Sequence, residues 1–140
     1  MAEVRKIEPA VVALKSRKRV AAYARISMES DRLNHSLSVQ VSYFSERIQS
    51  NPEWLYVGVY ADSGISGGDI RRRAEFQRLL DDCNAGKINI VLCKSISRFA
   101  RNTVDLLETV RHLKSIGVEV RFEKENISSF STDGELLLSI

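Results

Sequence analysis

The stretch V-A-A-Y-A-R-I, from Val20 to Ile26, holds a single charged residue and no alternation of apolar with polar positions. A short apolar run of that kind suits a strand covered on both faces, as inside a parallel sheet. Working outward, W-L-Y-V-G-V-Y-A from Trp54 to Ala61 is aromatic and β-branched and predicts a second strand. Ile88 to Cys93 predicts a third and Val118 to Phe122 a fourth. Helical spacings fill the intervals. Leu37, Val41, Phe44 and Ile48 recur every three or four residues behind candidate caps Ser36 and Ser38. Phe76, Leu79, Leu80 and Cys83 form the stripe of a helix from Arg73 to Asn84, stopped by Gly86. Leu106, Val110, Leu113 and Ile116 form another, capped by Asn102 or Thr103 and ended at Gly117. Strands alternating with helices predict an α/β fold: a mostly parallel sheet of four or five strands with helices on both faces.

A chain of 140 residues can bury one core without disulfides or metal. With 44% hydrophobic and 28% charged residues it reads as a soluble globular domain, and no apolar run reaches the length of a membrane span. No signal peptide is legible. Cys83 and Cys93 lack C-x-x-C spacing and are expected to be reduced core thiols, which places the protein in the cytoplasm. The formal charge of +3 is unevenly spread. Residues 1–19 carry six basic against two acidic side chains, so the remainder, fifteen basic against sixteen acidic, is at −1. Bulk charge is therefore a poor argument for nucleic acid binding by the folded part. Eleven of those fifteen are arginine, whose fork matches phosphate oxygens in pairs.

Polar residues gather just past the predicted strand ends: Arg25 and Ser27 after the first, Asp62 after the second, Ser95, Ser97, Arg98 and Arg101 after the third. Ligands bind at that edge of open α/β sheets. Tyr23, Arg25 and Ser27 alternate and share one face of a strand. Arg98 and Arg101, three apart, come together if that stretch is helical. A hydroxyl beside clustered guanidinium groups suits displacement at phosphorus, where charge develops on the equatorial oxygens and fixed donors stabilise it without metal.

Five segments carry a resemblance: Y-A-R-I-S at 23–27, S-L-S-V-Q at 36–40, Y-A-D-S-G-I-S-G at 60–67, R-A-E-F-Q-R-L-L at 73–80 and S-R-F-A-R-N at 97–102. In this order they resemble the catalytic domain of the resolvase/invertase serine recombinases, most closely in style the large recombinases of phages and mobile elements. The resemblance spans residue 18 to the end. It implies a 5′-phosphoserine link between Ser27 and cleaved double-stranded DNA, and strand exchange by homodimers assembled into a tetramer, with no cofactor. It also implies phosphate binding by Arg25, Arg73, Arg98 and Arg101, with Tyr23, Gln40 and Asp62 supporting. Small resolvases usually carry aspartate where this chain has Ser97, which leaves the leaving-group acid open.

Plainer readings stand beside these. An isolated serine at a strand end more often caps a turn, and only the alternation with Arg25 and Tyr23 favours a nucleophile at Ser27. Arg71 and Arg72 read as a solvated helix start, and Gly64, Gly67 and Gly68 as a loop without a Walker or G-x-G-x-x-G pattern. His35 and His112 read as surface residues, and Asp62 and Asp69 lack the D-x-D arrangement of a metal nuclease; no metal is expected. Residues 1–17 read as a flexible basic lead-in and 18–130 as the catalytic domain. Residues 131–140, with E-L-L-L-S-I after Gly134, read as the start of a truncated pairing helix. The alternative from another class is a non-catalytic, DNA-associated assembly module.

Overall fold

The computed structural model describes residues 17–26, 37–63 and 73–131. Expectations for Ser27, His35, Ser36, Gly64, Gly67, Gly68, Asp69, Arg71 and Arg72, and for residues 1–16 and 132–140, lie outside them. The elements in chain order are β1 (Lys18–Ile26), α1 (Leu37–Gln49), β2 (Trp54–Ser63), α2 (Ala74–Asn84), β3 (Ile90–Cys93), α3 (Ile96–Phe99), α4 (Thr103–Ser115), β4 (Glu119–Phe122) and β5 (Ile127–Ser128). They build one sheet in the order β2-β1-β3-β4-β5, parallel except for the antiparallel pair β4–β5.

β1 is an interior strand, paired with β2 on one side and β3 on the other. Val20 and Ala22 face α1 with Phe44, Ile48, Trp54, Ile90 and Leu92. Ala21 and Tyr23 face the opposite side, with Phe76, Leu79, Phe99, Leu106, Val110 and Phe122. Both faces of the strand are dry, so the apolar run needs no alternation, as its sequence predicts. Two cores on opposite faces of one sheet are the predicted two-sided α/β architecture.

Several boundaries and stripes differ from the sequence reading. On α1 the inner positions belong to Gln40, Phe44 and Ile48, with Val41 only partly covered. Ile116 is not on the buried stripe of α4; it is its C-cap and 42% exposed. Arg73 is not the first helical residue of α2 but its N-cap, with φ 45° and ψ 56°. Gly86 and Gly117 stop their helices as expected. At φ 78° and 82° they let Lys87 N–H reach Asp82 O at 3.0 Å and Val118 N–H reach Leu113 O at 2.8 Å. Beyond the four predicted strands, β5 is held by Ser129, whose hydroxyl accepts Val120 N–H at 2.9 Å.

Candidate active site at the C-terminal edge of the sheet

Because β2 lies on one side of β1 and β3 on the other, the strand order reverses at the C-terminal ends of β1 and β3. In open parallel sheets the chain segments leave in opposite directions there and open a crevice. Arg25, next to last in β1, enters it half-buried, and Ser27 follows β1 directly in sequence.

The segment after β3 closes on Arg25 from the other side. Arg25 Nη2 donates to Ser97 O in a short bond, and Arg98 Nη1 donates back to Arg25 O at 3.0 Å. Burial lowers the Arg25 pKa, and the positive charges of Arg73 and Arg98 lower it further. Cationic charge is therefore accumulated at this edge. A groove of about 630 Å³ opens here, lined by Arg25, Ser97, Arg101, Asn102 and Glu125 among others.

The expected helical pairing of Arg98 with Arg101 is not formed. α3 ends at Phe99, and Ala100 is extended at φ −125°, ψ 150°, so the two arginines do not share a helical face. Arg101 reaches the groove from the link into α4, where its N–H donates to Asp105 Oδ2 at 3.1 Å. The break has a local cause. Asn102 must be extended to cap α4, its side chain accepting Asp105 N–H at 2.9 Å.

Beneath the groove lies a buried polar junction. Asp62, at the end of β2, accepts Tyr23 O–H at 2.7 Å, Glu75 N–H at 3.0 Å and Phe76 N–H at 3.1 Å. It thus caps α2 from a neighbouring strand, a task Arg73 at the N-cap position does not perform with its own side chain. The Tyr23 pKa is raised by burial and by the bond to Asp62, so its phenol stays protonated and serves as the donor. Arg73 is 4% exposed and turned inward: it donates to Phe99 O and, at 3.3 Å, to Tyr23 Oη, lies 3.8 Å from Asp105 Oδ2, and stacks 3.7 Å from the Phe76 ring centroid. These contacts hold an arginine in the left-handed region, a conformation costing about 1–2 kcal/mol. A relay of edge-to-face contacts, Tyr23 on Phe76 at 5.0 Å between centroids, Phe76 on Phe99 at 5.1 Å and Phe99 on Phe122 at 5.4 Å, ties the junction to β4.

The structure therefore gathers Arg25, Ser97, Arg98 and Arg101 at one edge, with Tyr23, Asp62 and Arg73 packed below. Gln40 stands apart in a cavity of about 310 Å³ on the α1 side, lined by Val39, Tyr43, Phe44, Lys94 and Glu123. Glu125 and Asp105 escape the sequence reading. Glu125 had a usable signal, since it lies past the end of β4 as Ser97, Arg98 and Arg101 lie past that of β3; Asp105 had none beyond its place in the first turn of α4. Among the described residues, no three His, Cys, Asp or Glu side chains gather as metal ligands, and no helix is long and apolar enough to cross a membrane.

Fold and groove define a class first: an α/β domain that presents clustered guanidinium groups at the switch point of a parallel sheet. Residues 20–140 match the family model described as "Resolvase, N terminal domain", and the chain belongs to that family. It is 32% identical to the Transposon Tn21 resolvase of Escherichia coli over 109 residues, 73% of this chain and 55% of that protein. Among solved structures it resembles a resolvase family site-specific recombinase from Streptococcus pneumoniae, with TM-score 0.72 and 32% identity over 88% of this chain and 84% of that one. It also resembles the N-terminal catalytic domain of TP901-1 integrase, with TM-score 0.69 and 26% identity over 87% and 90%. The chain spans 55% to 60% of the length of the curated relatives it matches.

Proposed function

We propose that the chain is the catalytic domain of a site-specific recombinase that cleaves and rejoins double-stranded DNA through Ser27. The observation that carries this reading is the clamp of Ser97 and Arg98 on Arg25 at the switch-point edge, next to the strand end from which Ser27 follows. The relatives named as a transposon resolvase and an integrase support a role in moving a mobile element.

In this reading Ser27 Oγ attacks phosphorus and loses its proton as the bond to the 3′ oxygen breaks. A 5′-phosphoserine forms, and the leaving oxygen takes up a proton as a free 3′-hydroxyl. Attack by a 3′-hydroxyl on the phosphoserine reverses the step and restores Ser27. One phosphodiester is exchanged for another, so no external energy is required. Arg25, Arg98 and Arg101 stabilise the charge on the non-bridging oxygens, the work a metal does elsewhere. Arg73, buried against Tyr23 and Phe99, is assigned a positioning role, and Gln40 a supporting one from the α1 side. Exchange between duplexes requires more than one subunit, in keeping with dimers that assemble into tetramers in a longer protein. Two buried free thiols, Cys83 and Cys93, suit a reducing cytoplasm.

The test is to incubate the protein with nicked duplexes from the DNA flanking its own coding sequence, with chelator present, and to map any covalent adduct by mass spectrometry. A nucleotide 5′-linked to Ser27 is expected, absent in Ser27→Ala. An adduct on another residue would contradict the mechanism, and DNA association without any adduct would favour an assembly module.

A further inference from the structure

The turn between β4 and β5 reaches the groove, and the reaction above does not use it. β3 and β4 stay in register through Glu123 N–H to Cys93 O at 3.0 Å and Lys124 N–H to Lys94 O at 2.8 Å. One residue further the backbones part, because the chain after β3 bends into α3 while the chain after β4 reverses. The reversal occurs at Asn126, whose φ of 54° is in the left-handed region that asparagine tolerates better than most side chains. Its N–H closes the turn on Glu123 O at 3.2 Å.

Glu125 bridges the gap that opens. Its Oε1 accepts Ile96 N–H at 3.2 Å, so a side chain continues the ladder where the main chain no longer can. That N–H is the first of α3, and Ser95 at the N-cap supplies no side-chain acceptor for this helix. The two residues that follow Ile96 are those that clamp Arg25: Ser97 through its carbonyl and Arg98 through its guanidinium. Glu125 also lines the groove beside Arg25, Ser97 and Arg101.

We propose that Glu125 is a positioning residue of this site: from the β4–β5 turn it holds the start of α3, keeping Ser97 and Arg98 closed on Arg25. The inference rests on reading the groove as a phosphodiester site. A carboxylate facing a site for an anion opposes binding electrostatically, so its presence calls for a structural reason, and the Ile96 bond provides one. Glutamine separates the two properties, since its amide oxygen keeps the acceptor and lacks the charge.

Amide hydrogen exchange at Ile96 and the rate of Ser27–DNA adduct formation are to be measured in Glu125→Gln and Glu125→Ala, with exchange at Val91 and Leu92 in β3 reporting global stability. Glu125→Ala is expected to speed Ile96 exchange and slow adduct formation, each by about tenfold, with Val91 and Leu92 unchanged. Glu125→Gln is expected to stay within about twofold of the native protein in exchange and to form adduct at least as fast. Unchanged Ile96 exchange in Glu125→Ala overturns the proposal. So does a Glu125→Gln that is as slow as Glu125→Ala, which would make the charge or the proton the essential property. Absence of adduct in the native protein would remove the reading of the groove, while Ile96 exchange would still decide whether Glu125 holds α3.

Discussion

Arginines on the outer surfaces of this domain and arginines at the C-terminal edge of its sheet are held by different acceptors. Arg47 donates to Glu123 at 3.3 Å, Arg78 to Glu75 at 2.7 Å and Arg121 to Glu119 at 2.8 Å, each against a carboxylate. Arg25 and Arg73 donate to the main-chain carbonyls of Ser97 and Phe99, and Arg98 also donates to that of Arg25. A carbonyl fixes the direction of a guanidinium without cancelling its charge. At Arg25 this choice of acceptor leaves the positive charge of the fork at the edge of the sheet. Arg73 stands between the two groups, with Asp105 at 3.8 Å from one of its nitrogens.

The two groups of arginines are expected to differ most in the rate of adduct formation. Arg25→Ala is expected to lower it by about 10² to 10³, and Arg25→Lys to leave most of that loss, since a point charge does not reproduce the fork. Arg78→Ala, which removes a carboxylate-paired arginine, is expected to leave the rate within about twofold. Equal sensitivity of the two positions would show that acceptor type is irrelevant.

Asp62 sharpens the contrast from the acid side, because its carboxylate serves a phenol and two backbone N–H groups. Asp62→Ala strands those donors in a buried place and is expected to cost about 2–4 kcal/mol in urea unfolding, with Asp62→Asn intermediate. A cost under about 0.5 kcal/mol would remove the junction as the support of the edge. By the same measurement Arg78→Ala should cost less than about 1 kcal/mol, the value of an exposed pair.

The two groups should also titrate apart. Burial works to raise the Glu119 pKa, but the bonds from Arg121 and Ser128 and the charges of Arg121 and Lys18 outweigh it, so the net shift is downward. A carboxylate with a lowered folded pKa stabilises the protein above its unfolded pKa. That contribution is lost as pH falls through the folded value. Glu119→Gln should therefore flatten part of the acid limb of stability against pH, whereas Arg25→Ala should leave that limb unchanged. The smallest effect is chemical: burial pushes the Cys83 and Cys93 thiols up to about 12, and neither should be alkylated in the native protein near neutral pH.

How much of this was legible follows from what each residue answers to. β1 could be read because one property, burial on both faces, governs every position from Val20 to Ala24. Its true start at Lys18 could not, since Lys18 and Arg19 are exposed and belong to the strand through partners distant in sequence, Trp54, Leu55 and Asn89. β5 was invisible because two residues carry no period. At the site, looking to the C-terminal strand ends picked out Arg25 and Asp62, which are the next-to-last residues of β1 and β2, and Ser97 and Arg98 beyond β3. The roles of those residues were hidden, because Asp62 as a cap for α2 and Arg73 as its left-handed neighbour depend on partners far away in sequence. Arg98 and Arg101 were misjudged because the demand of Asn102 for an extended cap overrode the three-residue spacing.

If Arg25, held by a carbonyl at this edge, binds phosphate as proposed, DNA must reach its guanidinium. The most direct measurement follows the side-chain nitrogen resonances of the arginines as a short DNA duplex is added at low ionic strength. The account predicts that Arg25 and Arg98 shift while Arg47, Arg78 and Arg121 stay in place. Shifts confined to the carboxylate-paired arginines, with Arg25 and Arg98 unmoved, would contradict it.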